Sequence, residues 1–400
     1  MEHLSGTIKI RDIFLRNGNW WKLFLMKSHL MRPAIVINVL KLLVCRTQAL
    51  GFHRFFCPKC VMLVDAPHSC KSRLCPSCGK KATDQWIADA DARLPRTTWQ
   101  HISFTIPRDL QPIIWANRYL MGMFAPVTAK IILGQAKKKN SLPGIFLAIH
   151  TFGRDLKRNY HIHLSTTAGG LSGDGRKWID GIYFHHSVLK SLWKYAFVKL
   201  IRDEFSAGRL RFPKPIVHLA NKKALNSFLD SLWEKDWVVH LNEQSSNRKQ
   251  TIDYLGKYLK RPPIGETRIK DFDGNSVTFK YLDHYTGEMA EMTLPSQDFL
   301  ERLISHIPDQ NFRNIRYYGF LSNRTSGKLL QTVYGLLKQK AWKAARLSWQ
   351  KMRQALTGMD PVRCPHCGTW MELVHVKFSI NNNSLMGRHE EIANGYFQMA

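Results

Sequence analysis

The sequence predicts an α+β protein in which an antiparallel sheet with helices on one face follows a smaller, helical, metal-binding region. Three observations support this fold class. Segments with the polar–apolar alternation of β-strands begin near Trp99 and are separated by helical segments. Residues 7–50 have the apolar spacing of helices. Between these two parts, five cysteines fall within residues 57–78, a pattern typical of metal thiolates.

The N-terminal part is predicted to be helical over residues 7–50, because aromatic and aliphatic side chains such as Trp20 and Phe24 share one face. Pro33 should break this helical stretch, since proline lacks the backbone N–H that a continuing helix needs. After the cysteines, a polar helix is predicted over residues 80–93.

The second part begins with "WQHISFTIP", whose alternation predicts a strand that ends at Pro107. Two further strands, "IFLAIHTFG" and "YHIHLSTTA", are joined by the short basic segment "RDLKRN", which predicts a hairpin. The remaining predictions are helices over 110–133, 186–202, 222–233, 251–260 and 296–306, and strands at 216–219, at "WVVHLN" and near 267–294.

This order of strands and helices is that of a split βαβ, or ferredoxin-like, sheet. We therefore predict three regions. Residues 1–96 would form a helical, zinc-binding, DNA-binding region, and residues 97–330 a catalytic region built on the sheet. Residues 331–400 would form a basic helical region with a C-x-x-C pair and a polar tail that we expect to be poorly ordered.

The charge of the chain indicates a polyanionic partner. Lysine and arginine number 59 against 30 acidic residues, which gives a formal net charge of +29. No apolar run is long enough to span a bilayer: the most apolar one, residues 34–45, is too short and contains Asn38 and Lys41. The N-terminus lacks the pattern of a signal peptide. Nucleic acid in the cytoplasm is the partner that these features favour, and no membrane is expected.

The cysteines between residues 57 and 78 predict a structural zinc site. Two C-x-x-C pairs are separated by fourteen residues, and two such turns can supply four thiolates to a tetrahedral ion. The predicted ligands are Cys57, Cys60, Cys75 and Cys78. Cys70 and His68 lie between the pairs, and either could replace one of these ligands.

The motif "CPHC" supplies half of another zinc site. Cys364 and Cys367 could bind a second ion only with two more ligands, for which His375 or residues from elsewhere in the chain are candidates. This second zinc site therefore needs two further ligands that the sequence alone does not identify.

The motif "HIH" places two imidazoles on one face of a strand. Side chains alternate along a strand, so His161 and His163 point one way while Ile162 and Leu164 point the other. Two readings are open for the pair alone: polar residues on a solvated face, or two ligands of a metal.

The motif "TIDYLGKYLKRPP" places two tyrosines four residues apart, so both lie on one side of a helix. Ile252, Leu255 and Leu259 define an apolar stripe about 60° wide. Tyr254 and Tyr258 lie about 110° from the centre of this stripe, with Lys257 and Arg261 on their outer side. Tyrosines beside cations and away from the buried face are suited to meeting a phosphate.

The two motifs complement each other chemically. A tyrosine hydroxyl, with a pKa near 10, attacks a phosphodiester poorly unless the phosphoryl group is polarised. A divalent ion held by His161, His163 and one further ligand would polarise it. The third ligand stays open between His150, on the neighbouring strand, and Gln250, one turn before Tyr254.

A His-hydrophobic-His strand together with a Tyr-x-x-x-Tyr helix resembles the HUH superfamily of single-strand DNA endonucleases. With the cysteines in front, the chain resembles the rolling-circle transposases of the insertion-sequence-ninety-one family. The segments "HTFGRDLKRNYHIHLSTTAGG", "YLGKYLKRP", "ERLISHIP", "IRYYGFLSNR" and "SCKSRLCPSC" carry this resemblance, which covers about residues 10–370. One departure is Tyr160, which stands where the family often has proline; it changes how the strand begins, not the ligands.

The resemblance implies an activity. Tyr254 or Tyr258 would attack single-stranded DNA at the element ends and form a 5′-phosphotyrosine link, and the bound end would then be transferred to target DNA. His161, His163 and His150 would hold catalytic Mg²⁺ or Mn²⁺. Lys257 and Arg261 would contact DNA phosphate. The expected place of action is the bacterial cytoplasm, at the nucleoid, and self-association stays open.

Two alternatives remain at this point. A rolling-circle replication initiator or relaxase of a plasmid or phage would use the same histidine and tyrosine motifs. A non-enzymatic zinc DNA-binding protein would need neither. The segment "RNIRYYGF" is likewise open between a packed strand, which we favour, and a platform on which bases stack.

Overall fold

The fold is taken from a computed structural model of the chain. The residues that it describes are 7–247, 252, 256, 262–283, 286–340, 348–378 and 381–395.

Three helices form the N-terminal part: α1 (Ile10–Leu15), α2 (Asn19–Lys27) and α3 (Pro33–Leu43). Pro33 occupies the first turn of α3, where its missing N–H costs nothing, so it begins this helix and ends the preceding stretch. Apolar residues of α3 recur every three to four positions and are buried, among them Ile35, Val39 and Leu43. The predicted break at Pro33 is therefore confirmed.

A hairpin and a long helix follow: β1 (Phe52–Cys57), β2 (Met62–Pro67) and α4 (Pro76–Arg93). The chain returns to this hairpin near its C-terminus, where β12 (Glu372–Lys377) pairs antiparallel with β1. The result is a three-stranded sheet of order β12–β1–β2 whose strands come from both ends of the chain.

The largest sheet of the described chain lies at the centre of the fold, and all its strand pairs are antiparallel. Its strand order is β11–β4–β5–β3–β7, and β6 pairs with β5. The strands are β3 (Trp99–Thr105), β4 (Ser141–Phe152), β5 (Arg158–Ser172), β6 (Trp178–Ile179), β7 (Val239–Leu241) and β11 (Ile315–Gly319). The hairpin predicted from "RDLKRN" is β4–β5.

The two faces of this sheet differ. On one face, aliphatic residues such as Ile149, Ile162 and Leu164 pack in the largest apolar core. The helices on that face are α5 (Gln111–Ala116), α6 (Met121–Lys137), α7 (His186–Ser206) and α8 (Lys222–Ser231). On the other face, residues of α4 and α10 (Ser326–Leu336) pack around Trp99 and Phe146. This second face also carries the histidines.

A third sheet joins the N-terminal helices. It consists of β8 (Ile269–Phe272), β9 (Ser276–Leu282) and β10 (Met289–Pro295), followed by α9 (Ser296–Ser305). Its buried side chains, such as Phe279 and Phe299, share one core with those of α1–α3. The remaining helices are α11 (Trp349–Thr357), α12 (Asn382–Gly387) and α13 (His389–Ala393). None of the helices in the described ranges is long and apolar enough to cross a membrane.

The α+β fold class, with antiparallel sheets and a helical N-terminal part, is confirmed. Several element predictions need correction. Residues 214–220 form a 3-10 helix where we predicted a strand at 216–219, since Pro215 lies at its start. The helix predicted over 110–133 is interrupted between α5 and α6, where the buried Asn117 side chain donates to the Ile113 and Arg211 carbonyls.

The C-terminal tail is also more ordered than its polar composition predicted. Leu385, Ile392 and Ala393, on α12 and α13, are buried in the core of the N-terminal helices. The indole Nε1 of Trp20 donates to His389 Nε2 at 2.9 Å, which ties α13 to α2.

Candidate metal centre and DNA-binding cleft

The hairpin β4–β5 brings three histidines together. His150 pairs across the hairpin with His161, and His163 lies opposite Ala148, so the three imidazoles share one face of the sheet. One ligand nitrogen from each of them lies within 4.8 Å of the other two. His150 therefore joins the predicted pair, while the alternative ligand Gln250 lies outside the described residues.

Hydrogen bonds orient two of these rings. His161 Nδ1 donates to the Asn159 carbonyl at 2.8 Å, and because a carbonyl only accepts, the proton sits on Nδ1 and Nε2 keeps its lone pair. His163 Nδ1 lies 3.1 Å from both His101 Nε2 and Ser103 Oγ. In metal sites, a hydrogen bond to the ring nitrogen that does not bind the metal fixes the orientation of the imidazole.

His101 and Ser103 were not among the residues predicted from the sequence. Both lie on β3, where Ser103 pairs directly with His163 and His101 with Ser165. The available signal was the alternation in "WQHISFTIP", which puts His101 and Ser103 on the same face of a strand.

Burial favours the neutral form of His150, His163 and His101 by lowering the pKa of each imidazole. Desolvation is the main cause that lowers the pKa of His150 and of His163 well below the usual value, and the neighbouring histidines lower both further. Burial also lowers the pKa of His101 to about 4. A histidine must be neutral to bind a metal, so this cluster presents metal-binding imidazoles at neutral pH.

The three histidines line an open cleft of about 730 Å³. Four cations also line it against a single carboxylate, that of Glu266; these cations are Lys9, Lys80, Arg154 and Arg268. Pro262 and Pro263, the last two residues of the tyrosine motif, lie in the wall of the same cleft. The cleft therefore combines metal ligands with the positive charge that a phosphate backbone requires.

Between Thr251 and Arg261 of the tyrosine motif, two residues are described, Ile252 and Gly256. Ile252 is buried in a cluster with Ala90 of α4 and with Leu94, which follows that helix, and this confirms the predicted burial for this position of the apolar stripe. Gly256 is also buried. A Cβ atom placed on it would lie 2.6 Å from Cγ1 of Ile87, which belongs to α4. The predicted site residues Tyr254, Tyr258, Lys257 and Arg261, and the stripe residues Leu255 and Leu259, lie outside the described residues.

The cysteines form two groups of four, and neither is the predicted group. The first consists of Cys45, Cys70, Cys75 and Cys78; the second consists of Cys57, Cys60, Cys364 and Cys367. The structure describes all eight cysteines, and all are free thiols. The prediction that Cys57 and Cys60 share an ion with Cys75 and Cys78 is thus corrected. Cys70, predicted as an alternative ligand, does join Cys75 and Cys78 in the first group, and Cys45, twelve residues before the next cysteine, completes it.

The hairpin explains this division. Cys57 ends β1 and Cys60 lies in the turn that follows, whereas Cys70, Cys75 and Cys78 come after β2 has run back along β1. Six residues of strand span about 20 Å, so the two sets of cysteines lie at opposite ends of the hairpin. His68 and His375 belong to neither group; His68 Nε2 lies 3.0 Å from His53 Nδ1, and His375 pairs with Arg54 in the sheet.

The segment "RNIRYYGF" contains β11, at the edge of the central sheet. The hydroxyl of Tyr317 accepts a hydrogen bond from Trp86 Nε1 at 3.0 Å, and Arg316 Nη1 donates to the Gly122 carbonyl at 2.8 Å. Both side chains are thus used within the fold, as expected for the packed strand that we favoured.

Comparisons with known proteins agree with this arrangement. Residues 17–106 match the family model described as "Transposase zinc-binding domain", and residues 144–328 match the one described as "Putative transposase". The chain is 36% identical over 369 residues to the transposase for insertion sequence element IS801 of Pseudomonas savastanoi pv. phaseolicola, covering 90% of this chain and 88% of that protein. It is 30% identical over 372 residues to the putative transposase y4qJ of Sinorhizobium fredii strain NBRC 101917 / NGR234, covering 90% and 92%. No solved structure matches the chain significantly.

All four cysteines of the first group lie within the range of the zinc-binding model, which supports structural zinc. The similarity to these relatives extends over nine-tenths of the chain. His150, His161 and His163 lie within the second matched range. A transposase acts on DNA, in keeping with the basic cleft. The chain belongs to the insertion-sequence-ninety-one (IS91) family of transposases.

Proposed function

We propose that this transposase cuts one strand of single-stranded DNA at the ends of its element with Tyr254 or Tyr258 as nucleophile. The product would be a 5′-phosphotyrosine link and a free 3′-hydroxyl, and the bound end would then be passed to another strand in rolling-circle transposition. The observation that carries the proposal is the cluster of His150, His161 and His163, in a cleft whose wall includes Pro262, at the end of the tyrosine motif.

The cluster suits a divalent cation. Three neutral imidazoles on paired strands supply three donors and leave coordination positions for phosphate oxygens and water. When bound, the ion would polarise the scissile phosphate and neutralise charge that develops on it. Of the two ions expected, Mg²⁺ and Mn²⁺, we propose that Mn²⁺ binds more tightly, because imidazole is a poor ligand for the harder Mg²⁺.

The other residues of the cleft would position the DNA. Lys9, Lys80, Arg154 and Arg268 are suited to bind phosphates of a single strand on either side of the scissile bond. We assign the phosphate nearest to the nucleophile to Lys257 and Arg261, which the sequence places beside the tyrosines. A second tyrosine would permit a second cleavage while the first end is still held.

Detection of a covalent protein–DNA adduct tests the proposal. End-labelled single-stranded DNA of an element end is incubated with the protein and Mn²⁺ and then separated on a denaturing gel. The adduct should disappear in His161→Ala, and its loss in either Tyr254→Phe or Tyr258→Phe identifies the first nucleophile. Two exposed residues outside the cleft give matched controls, Tyr183→Phe and His218→Ala, which should form the adduct normally. Absence of any adduct with the unmodified protein would refute the tyrosine mechanism.

A further inference from the structure

We propose that Cys57, Cys60, Cys364 and Cys367 hold a second structural zinc ion, which fastens the C-terminal region to the β1–β2 hairpin. The four Sγ atoms lie within 4.8 Å of one another. Cys57 Sγ is 3.6 Å from Cys367 Sγ, and Cys60 Sγ is 3.9 Å from Cys364 Sγ. Sulfur atoms around a tetrahedral zinc ion, with Zn–S bonds of about 2.3 Å, are separated by about 3.8 Å.

The backbone around these cysteines forms two turns of the kind that grip zinc. The Cys60 N–H lies 3.4 Å from Cys57 Sγ, to which it donates. In the other turn, the Gly368 N–H donates to the Cys364 carbonyl at 2.9 Å, and Gly368 adopts a left-handed conformation with φ of +70°. Both turns thus direct two sulfurs to one point, and together they leave no coordination position for a substrate.

The sheet that these turns join has little apolar surface with which to hold itself together. The apolar cluster around these turns has five buried members among the described residues, and two of them are the cysteines themselves: Phe55, Cys57, Ala66, Cys364 and Met371. Units of fewer than about 40 residues usually need a metal or disulfides for stability. The pairing of β12 with β1 therefore depends on a further bond between the two segments, and zinc would supply it.

This site differs from the first group in two ways. Two of its ligands, Cys364 and Cys367, lie beyond both matched family ranges, which end at residues 106 and 328. Its ligands are also less protected: Cys60 is exposed and Cys367 half-buried, whereas three of the four cysteines in the first group are buried. The second zinc ion should therefore be the first to leave when a chelator is added. None of this depends on the tyrosine mechanism.

Metal analysis of the full-length protein tests the number of sites. We expect two zinc ions per chain, and one in Cys367→Ala. Cys367→His, which keeps a zinc ligand, should retain two. One zinc ion per chain in the unmodified protein, or the same zinc content in Cys367→Ala and Cys367→His, would overturn the proposal. Timed release to a chromogenic chelator should give a fast and a slow phase of one equivalent each, with the fast phase missing in Cys367→Ala; a single phase of two equivalents would count against it.

Amide hydrogen exchange tests the fastening itself. In Cys364→Ser/Cys367→Ser, the amides of β12 should lose protection, because the strand would separate from β1. The matched control is Cys70→Ser/Cys75→Ser, which should also lose one zinc ion but leave β12 protected. Protection of β12 that is unchanged in the first variant, or lost equally in the second, would show that zinc does not join these segments.

Discussion

Adding a single methyl group at Gly256, midway between the two tyrosines, should lower activity far more than it lowers stability. A Cβ atom at this position would lie 2.6 Å from Cγ1 and 2.8 Å from Cδ1 of Ile87, and 3.6 Å from Trp86 Cε3. Carbon atoms pack at about 3.5–4.0 Å, so Gly256→Ala creates an overlap of about 1 Å with α4. Either Ile87 or the segment that carries the tyrosines must then move.

Two effects on stability oppose each other. Alanine is favoured over glycine within a helix by about 1 kcal/mol, whereas overpacking costs about 1–3 kcal/mol. We therefore expect Gly256→Ala to lower the free energy of unfolding by no more than about 2 kcal/mol. Catalysis is far more sensitive, because a displacement of about 1 Å at a reacting group can cost about 100-fold in rate. The rate of adduct formation should fall about 10- to 100-fold.

The assay is single-turnover formation of the protein–DNA adduct, with thermal unfolding measured in parallel. Ile87→Ala removes both atoms that the new methyl group meets, so the double variant Ile87→Ala/Gly256→Ala should recover most of the rate. Gly134→Ala is the matched control, since this glycine lies within helix α6 with nothing within 4 Å of its Cβ position. A normal rate in Gly256→Ala, or a double variant no faster than Gly256→Ala alone, would refute the reasoning.

Three further predictions concern single residues. Gly319→Ala should lower the free energy of unfolding by about 2–4 kcal/mol in denaturant titrations, since φ is +61° and the new Cβ would lie 1.7 Å from the Pro143 carbonyl oxygen; an unchanged midpoint would contradict this. His101→Ala should weaken Mn²⁺ binding by about 10- to 100-fold in calorimetric titrations, because His101 orients His163, and unaltered affinity would exclude that role. Burial lowers the pKa of His306 to about 4, so the unfolded chain binds more protons than the folded chain between about pH 6.5 and 4. The free energy of unfolding should therefore fall by about 3 kcal/mol as the pH drops through that range. His306→Gln should lack this contribution, and equal pH profiles of stability for the two proteins would disprove it.

The structural basis of the His306 prediction is its pair of hydrogen bonds. His306 Nε2 lies 2.9 Å from the Leu156 carbonyl and must donate to it, while Nδ1 lies 3.1 Å from Thr151 Oγ1 and can accept from that hydroxyl. A single neutral tautomer satisfies both contacts. Protonation would add a donor at Nδ1 and place a charge in a buried site, which is why acid should destabilise the fold here.

The histidine cluster could be predicted because its geometry depends on local rules. Alternation along a strand put His161 and His163 on one face, and the short connection between β4 and β5 required a hairpin that brings His150 beside them. Both inferences use residues within fourteen positions of one another. The additions from the structure, His101 and Ser103, come from a neighbouring strand that is distant in sequence.

The cysteine groups could not be predicted because their partners depend on the path of the whole chain. Each C-x-x-C turn offers the same two sulfurs, so spacing alone does not say which turns share an ion. The length of the β1–β2 hairpin separates Cys60 from Cys75, and the return of β12 brings in Cys367 from the other end of the chain. The same long-range packing buries Leu385 and Ile392 in a tail that its polar composition predicted to be poorly ordered.

Helix α4 connects the first cysteine group to the cleft. Cys75 is its N-cap residue and Cys78 lies in its first turn, so an ion held there would fix the beginning of the helix. Pro76, Ser77 and Lys80, on the same turns, line the cleft beside the histidines. Further along the same helix, which rises about 1.5 Å per residue, Ile87 lies against Gly256 and Ala90 packs in the cluster that buries Ile252. A single helix thus connects the first cysteine group with Ile252 and Gly256 of the tyrosine motif, and we propose that zinc held by these cysteines would help to position this motif as well as stabilise the fold.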